Sequence, residues 1–164
     1  MPIVRKTPRS AIHDYVVSRV ENLREVLIMR LSVIGEKVVN HARNLPSPSA
    51  ASFDGGRIPP HQPNYIDWTA NLRSSIGYVI VADGQVVRQS DFKTVGNGQE
   101  GSASGRQFAS GLASKFPNGI CLIVVAGMNY ASYVSAKGYD VIDTSELLAE
   151  KLVPEMLNKL GLTS

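Results

Sequence analysis

A long run of helically spaced apolar residues opens the chain. Thr7 with Pro8, or alternatively Ser10, is expected to begin a helix here, and Pro46 is expected to end it. Intervals of three or four keep the apolar side chains on one face of that helix. The stripe consists of Ile12, Val16, Val20, Leu23, Leu27, Leu31, Ile34, Val38, Ala42 and Leu45.

This helix is too long for a domain built from 164 residues. From Ser10 to Leu45 it would span about 50 Å, whereas a compact chain of this length has a radius of gyration of about 15 Å. Part of the helix must therefore overhang or bend, and Gly35 is the expected weak point. An overhanging apolar face needs cover, for which a neighbouring subunit is the natural candidate.

Shorter apolar runs further along the chain predict a small antiparallel sheet. Asp83 and Gly84 separate two β-branched runs, which is the strongest short-range signal for a hairpin. Residues 120–126 (ICLIVVA) form a continuous apolar run of strand length. A short last strand is expected at residues 139–142.

A second helix is predicted at the end of the chain. Asp143 and Glu146 resemble a capping box at its start, and Pro154 is expected to kink it. Its apolar stripe consists of Leu148, Leu152, Met156 and Leu160. Helices at both ends of a small sheet define an α+β domain.

Two long irregular segments interrupt this order. Residues 46–68 are rich in proline, and residues 89–119 are rich in glycine and serine, with a weak helix near residues 106–116. Residues 129–136 are ambiguous. The whole chain, residues 1–164, is interpreted as one domain with a long N-terminal helix, a small antiparallel sheet with an Asp-Gly hairpin, and a C-terminal helix.

The composition, 43% hydrophobic and 19% charged, is that of a folded soluble domain. Cys121 is the only cysteine, which excludes an intrachain disulfide framework, and it is interpreted as a small buried hydrophobe. No apolar run approaches the roughly 20 residues of a membrane span, and the first residues lack the apolar core of a signal peptide. We therefore expect no membrane partner, and folding in a cytoplasm.

The charge is distributed unevenly along the chain. Residues 1–45 hold eight basic and four acidic residues, whereas residues 138–164 hold five acids and two lysines. Opposed charge at the two ends suits head-to-tail contact between copies of the chain. The alternative use of the basic helix face, through Arg19, Arg30 and Lys37, is nucleic-acid binding.

Catalytic and cofactor motifs are scarce. His13 and His41 lie about 42 Å apart on the first helix and cannot share a metal ion, and His61 has no carboxylate or cysteine at ligand spacing. Residues 96–101 (GNGQEG) match the glycine pattern of dinucleotide sites, but no acid follows at the required distance, so a mobile loop is expected. We expect no enzyme, no metal and no cofactor. Tyr130 and Tyr133 are either half-buried packing residues or a stacking platform.

Two segments carry a resemblance to a known family. Residues 67–76 (DWTANLRSSI) resemble the T-G-N-L-R-x-S-I segment of a tail-component family of long-tailed double-stranded-DNA phages. Residues 125–134 (VAGMNYASYV) resemble the same family's second segment, a strand followed by Y-A-x-Y-V-E. Ala70 replaces a frequent glycine, Ser135 replaces a frequent glutamate, and residues 138–142 replace a proline-aromatic segment.

The resemblance implies a structural virion protein without enzymatic activity. Such proteins form homo-oligomeric rings at the neck or tail top, where they complete the tail or join it to the head. The implied partners are further copies of the chain and adjacent connector, tail-terminator or tail-tube proteins. A connector ring could also make weak contact with passing DNA. The implied location is the virion, after assembly in the host cytoplasm. Candidate contact residues are Arg19, Arg30, Lys37, Asn71, Arg73, Tyr130 and Tyr133.

Overall fold

The computed structural model describes residues 8–45 and 65–162. Within these ranges the chain forms a long first helix, a three-stranded sheet and a long last helix, which confirms the predicted α+β class. A 3₁₀ turn, Ala113–Lys115, follows the third helix. The elements are α1 (Arg9–Arg43), α2 (Asn71–Ser74), β1 (Ile76–Ala82), β2 (Gln85–Gln89), α3 (Gln99–Leu112), β3 (Ile120–Ala126), α4 (Ala131–Ala136) and α5 (Asp143–Lys159).

The sheet has the strand order β2-β1-β3, and both ladders are antiparallel. β1 is central, and all seven of its residues are buried. The hairpin predicted at Asp83-Gly84 is confirmed: both residues have positive φ, 50° and 81°, as the turn requires. β1 and β3 pair without a register shift, whereas the β1–β2 ladder is irregular between Ile80 and Val81.

Helices cover both faces of the sheet. α1 and α5 pack on the face that carries Ile76, Tyr78 and Ile80, where α5 contributes the predicted stripe around Met156. On the opposite face, Val79 and Val81 pack against α3 and Phe92. A third cluster joins Tyr65, Leu72, Ala131 and Val141 beside the sheet. The C-terminal part of α1 therefore belongs to the core, as its stripe predicted.

Gly35 is not the weak point that we expected in α1. The helix is continuous from Arg9 to Arg43, and Gly35 is buried under the ring of Tyr78. A Cβ at this position would lie 2.8 Å from the ring atoms of Tyr78. The glycine permits a close approach of helix and sheet, which its sequence context does not reveal. Leu31, Ile34 and Val38 are buried around it.

Residues 89–119 do not form one long loop, which corrects the prediction. Residues 90–98 lack helix and strand, but α3 occupies Gln99–Leu112. Glycine and serine lower helix propensity, so the helix is formed against its local preference. Its buried residues are Gly101, Gly105 and Ala109, which indicates that tertiary contact decides the conformation. The other predicted loop, residues 46–68, lies outside the described residues up to residue 64.

Two predictions near the C-terminus are also wrong. Residues 139–142 form no strand, because Val141 is buried against Leu72 in a side-chain cluster rather than paired in the sheet. Asp143 is not the cap of α5 either, since it lies within the first helical turn. Asp140 accepts the Thr144 N–H at 3.2 Å instead. α5 runs through Pro154 as one helix.

Cys121 is half-buried rather than fully buried. β3 lies at an edge of the sheet, so its residues are less enclosed than those of β1. Partial burial raises the pKa of the Cys121 thiol above its usual value.

Candidate functional site

The first half of α1 projects from the rest of the fold. Every residue from 9 to 23 is exposed, and this part of the helix is about 22 Å long. The first partly buried position is Arg24, whose guanidinium forms an ion pair with Asp83 in the β1–β2 turn. Within the described part of the chain, no element packs around residues 9–23.

Apolar side chains line this projecting part. Val16 is 52% exposed and Val20 is 60% exposed, and they lie one turn apart on the same face. Exposed apolar side chains of this size, arranged contiguously, mark interaction surfaces on soluble proteins. We call this surface the α1 apolar face. It comprises Ile12, Tyr15, Val16, Val17, Val20 and Leu23.

The three basic residues predicted on α1 are all exposed, and their spacing places them on one side of the helix. Arg30 and Lys37 line a groove between α1 and α5, together with Lys159 and Glu155. Arg19 lies about 16 Å further along the axis, on the projecting part. Two of the three predicted residues therefore share a groove, and the third does not.

The two segments that carry the family resemblance pack together. Ile76 pairs with Ala126, and the Gly127 N–H donates to the carbonyl of Ser75 at 3.1 Å. A cleft lies between the segments, lined by Asn71 and Tyr130 among others. Trp68 stands beside it, 83% exposed. Ala70, at the position of the family's frequent glycine, has a φ of 59°, in the left-handed region that glycine favours.

Asn71 and Arg73 make contacts within the chain. The Asn71 side-chain Nδ2 donates to Glu100 Oε2 at 3.2 Å, and the side-chain Oδ1 of Asn71 accepts the Gly101 N–H at 3.2 Å. The Arg73 guanidinium donates to the Leu45 carbonyl at 2.7 Å. The predicted contact residues of this segment thus tie α2 to α3 and to the end of α1.

Tyr130 and Tyr133 face different surroundings. Tyr130 is half-buried beside the cleft, where burial raises its pKa. Tyr133 is 64% exposed, and the Lys137 ammonium lies 5.3 Å from its ring centre. Tyr130 is therefore the half-buried residue of the pair, and Tyr133 is the accessible one.

Tyr65 provides a pH test of this region. Burial raises its pKa to about 12, although the Arg73 guanidinium, 5.9 Å above its ring, opposes the shift. An unfolded tyrosine ionises near pH 10. The contribution of Tyr65 to the free energy of unfolding is therefore fully present below pH 10 and is lost as the pH rises through about 12. We expect Tyr65→Phe to reduce this loss in the free energy of unfolding by about 2–3 kcal/mol. Urea unfolding between neutral and strongly alkaline pH measures it, and Tyr15→Phe, at a 66% exposed position, is the control.

The glycines of residues 96–101 serve helix packing. A Cβ on Gly101 would overlap the Asn71 carbonyl oxygen and lie 2.7 Å from its carbonyl carbon. A Cβ on Gly98 would lie 2.8 Å from the carbonyl carbon of Ala70. The absence of a side chain at these glycines lets α3 pack against the main chain of residues 67–76. The sequence signal for this was the spacing of small residues at 98, 101, 105 and 109, which is helical.

Histidines and acidic residues form no metal-binding group of three or more within the described ranges. The His41 Nε2 lies 3.3 Å from the Thr144 hydroxyl, which connects α1 to the start of α5. His13 is exposed beside Asp14. His61 lies outside the described residues.

No protein-family model, curated protein or solved structure matches this chain. Among the described helices, none is long and apolar enough to cross a membrane.

Proposed function

We propose that this protein is a structural subunit that assembles with further copies of itself, as the ring-forming tail-completion proteins of long-tailed phages do. The observation that carries the proposal is the α1 apolar face. It projects about 22 Å beyond the domain, and no described element covers it. A second copy that packs against it would remove this apolar surface from water, at about 25 cal/mol for each Å².

The position of the projection favours a head-to-tail arrangement. α1 carries its exposed half away from the sheet, whereas its other half is fixed under Tyr78 and α5. A contact made by this projection with a different surface of the next copy is heterologous, and heterologous contacts close into rings when the rotation between copies permits. The phage neck or tail top is the location that the resemblance of residues 67–76 and 125–134 supports.

Charge placed on the α1 apolar face tests the proposal. We expect Val16→Glu with Val20→Glu to weaken self-association about 100-fold, because two buried valines contribute about 2–3 kcal/mol to the contact. Ser18→Glu with Asn22→Glu is the matched control. It adds the same charges at the same spacing, at exposed positions across the helix from Val16 and Val20. Light scattering coupled to size exclusion measures the mass of each variant across a concentration series.

Three results would contradict the proposal. The first is a wild-type chain that stays monomeric at every concentration, also when neck or tail proteins are added, because such a chain does not assemble. Equal effects of the test and control variants would show that charge alone, rather than this face, governs association. Salt-sensitive binding of duplex DNA by a monomeric chain, abolished by Lys37→Glu, would favour the nucleic-acid-binding alternative, since Lys37 lies in the groove with Arg30 and Lys159.

A further inference from the structure

The outer edge of β3 has no pairing partner among the described residues. The sheet ends at β3, which pairs with β1 alone. The carbonyl of Tyr78 accepts the Ser90 N–H at 2.9 Å, so the main-chain groups of Tyr78 face β2. The main-chain groups of the residues on either side of Tyr78 therefore face β3 and bond to it. Val124 lies opposite Tyr78, and Leu122 lies two residues away from Val124, so the main-chain groups of Leu122 and Val124 point away from the sheet.

β3 also lacks the features that protect strand edges. Natural edges are blocked by charged side chains, prolines or bulges. β2, at the other edge, has Arg88 and an irregular ladder beside it. β3 is seven residues long, has no charge and no proline, and pairs with β1 in a regular register. An edge of this kind is the usual site for the addition of an extended segment.

A cavity opens beside the second half of this edge. It lies between α3 and the start of α5, with apolar walls that include Phe108, Leu112 and Val124. Phe108 is 50% exposed. Asp143 and Glu146, both exposed, line the same cavity and provide its acidic charge. The chemistry that fits is an extended segment with apolar β-branched side chains followed by basic ones.

Residues 1–7 of the chain (MPIVRKT) have this chemistry. Ile3 and Val4 are β-branched, which suits a strand, and Arg5 and Lys6 follow directly. The segment precedes Pro8, at the tip of the projecting half of α1. The acidic partners lie in the C-terminal region, so the contact would pair the basic and acidic ends of the sequence.

The segment cannot reach the cavity of its own copy. α1 spans about 51 Å from Arg9 to Arg43. The Arg43 guanidinium donates to the carbonyl of Ile76 at 2.6 Å, and Ile76 pairs with Ala126, which lines the cavity. The cavity therefore lies at the C-terminal end of α1, whereas residues 1–7 are attached to the other end, and seven residues can span at most about 25 Å. Any contact of residues 1–7 with this cavity must therefore join two copies.

We propose that residues 1–7 of one copy bind as an added strand along the outer edge of β3 in the next copy, with Arg5 and Lys6 beside Asp143 and Glu146. This inference rests on the proposed self-assembly and names the second half of the contact. Burial of the α1 apolar face stabilises the contact between copies, and residues 1–7 determine that this contact is head-to-tail. Repetition of the contact gives a head-to-tail series, which closes into a ring when the rotation between copies permits.

Disulfide trapping tests the geometry. One full-length chain carries Ile3→Cys and the other carries Ser132→Cys, an exposed cavity-lining position, and both carry Cys121→Ala. We expect the mixture to form a disulfide-linked heterodimer under mild oxidation. Ser110→Cys, exposed on α3 outside this cavity, is the control that should give none. Equal trapping at both positions, or no trapping, overturns the proposal.

Charge exchange tests the recognition. We expect Arg5→Glu with Lys6→Glu, and separately Glu146→Lys, to weaken self-association about tenfold each. Their combination should restore part of it, because Asp143 still repels the introduced glutamates. Glu150→Lys, exposed one turn further along α5, should have no effect. If Val16→Glu with Val20→Glu dissociates the assembly while these reversals do not, the inference on residues 1–7 fails and the proposed self-assembly stands.

Binding of a synthetic fluorescent peptide of residues 1–9 tests the strand contact independently of self-assembly. The receptor is the full chain with Arg5→Glu and Lys6→Glu, whose own segment cannot compete. We expect saturable binding that Glu146→Lys weakens about tenfold. Such binding by a chain that remains monomeric would support the strand contact while the proposed assembly fails. The absence of saturable binding overturns the strand contact.

Discussion

Gly101→Ala is expected to destabilise the fold by about 3 kcal/mol, the upper end of the usual cost of overpacking. The added methyl would overlap the carbonyl oxygen of Asn71, a main-chain atom that cannot move aside without displacing α2. The Asn71 side chain, which bonds to Glu100 and to the Gly101 N–H, would lose its geometry as well. Urea unfolding followed by circular dichroism measures the loss.

Gly111→Ala is the matched control for this variant. Gly111 lies near the end of the same helix, and a Cβ there would meet no atom within 4 Å. The substitution should stabilise α3 by about 0.5–1 kcal/mol, because alanine loses less backbone entropy than glycine. Stabilisation by both variants would show that α3 does not lie against α2 in this way.

Phe92→Ala is expected to cost about 3–5 kcal/mol, a large part of the 5–15 kcal/mol that stabilises a typical domain. Phe92 is 1% exposed, and its ring fills the space over Gly77 and Gly105. Removal of the ring leaves a cavity between α3 and the sheet. Phe116→Ala, at a 39% exposed position, should cost less than about 1 kcal/mol in the same unfolding experiment.

A double variant tests whether the Phe92 ring lies directly against Gly77. Gly77→Ala alone places a methyl 2.6 Å from the Phe92 Cδ1 atom and should be destabilising. In the Phe92→Ala background the ring is gone, so the added methyl would meet empty space and its cost should fall or change sign. Additive effects of the two substitutions would contradict the described contact.

The outlines of the fold follow from local patterns along the chain. The stripe from Ile12 to Leu45 predicted α1 because helical periodicity depends on neighbours three and four residues away. The Asp83-Gly84 turn was predictable because positive φ at both residues is a local requirement. The same applies to the apolar run of β3. These elements needed no knowledge of what they pack against.

The candidate site was predictable only in part. The overhang of α1 followed from the mismatch between helix length and domain size, and the exposure of Val16 and Val20 agrees with it. The roles of Asn71 and Arg73 did not follow, because their partners Glu100 and Leu45 lie 29 and 28 residues away. Residues that bond across such separations look like free polar residues in the sequence.

The sequence by itself determined the long helix, the hairpin, the strand of residues 120–126 and the surplus of apolar surface at the beginning of the chain. Only the tertiary structure decided that glycine-rich residues 99–112 form a helix, that Gly35 lies under Tyr78, and that residues 139–142 stay out of the sheet. The physical reason is the range of the interactions. Periodicity and turn chemistry act between near neighbours, whereas close approach and burial depend on atoms from distant segments, and these override local preference.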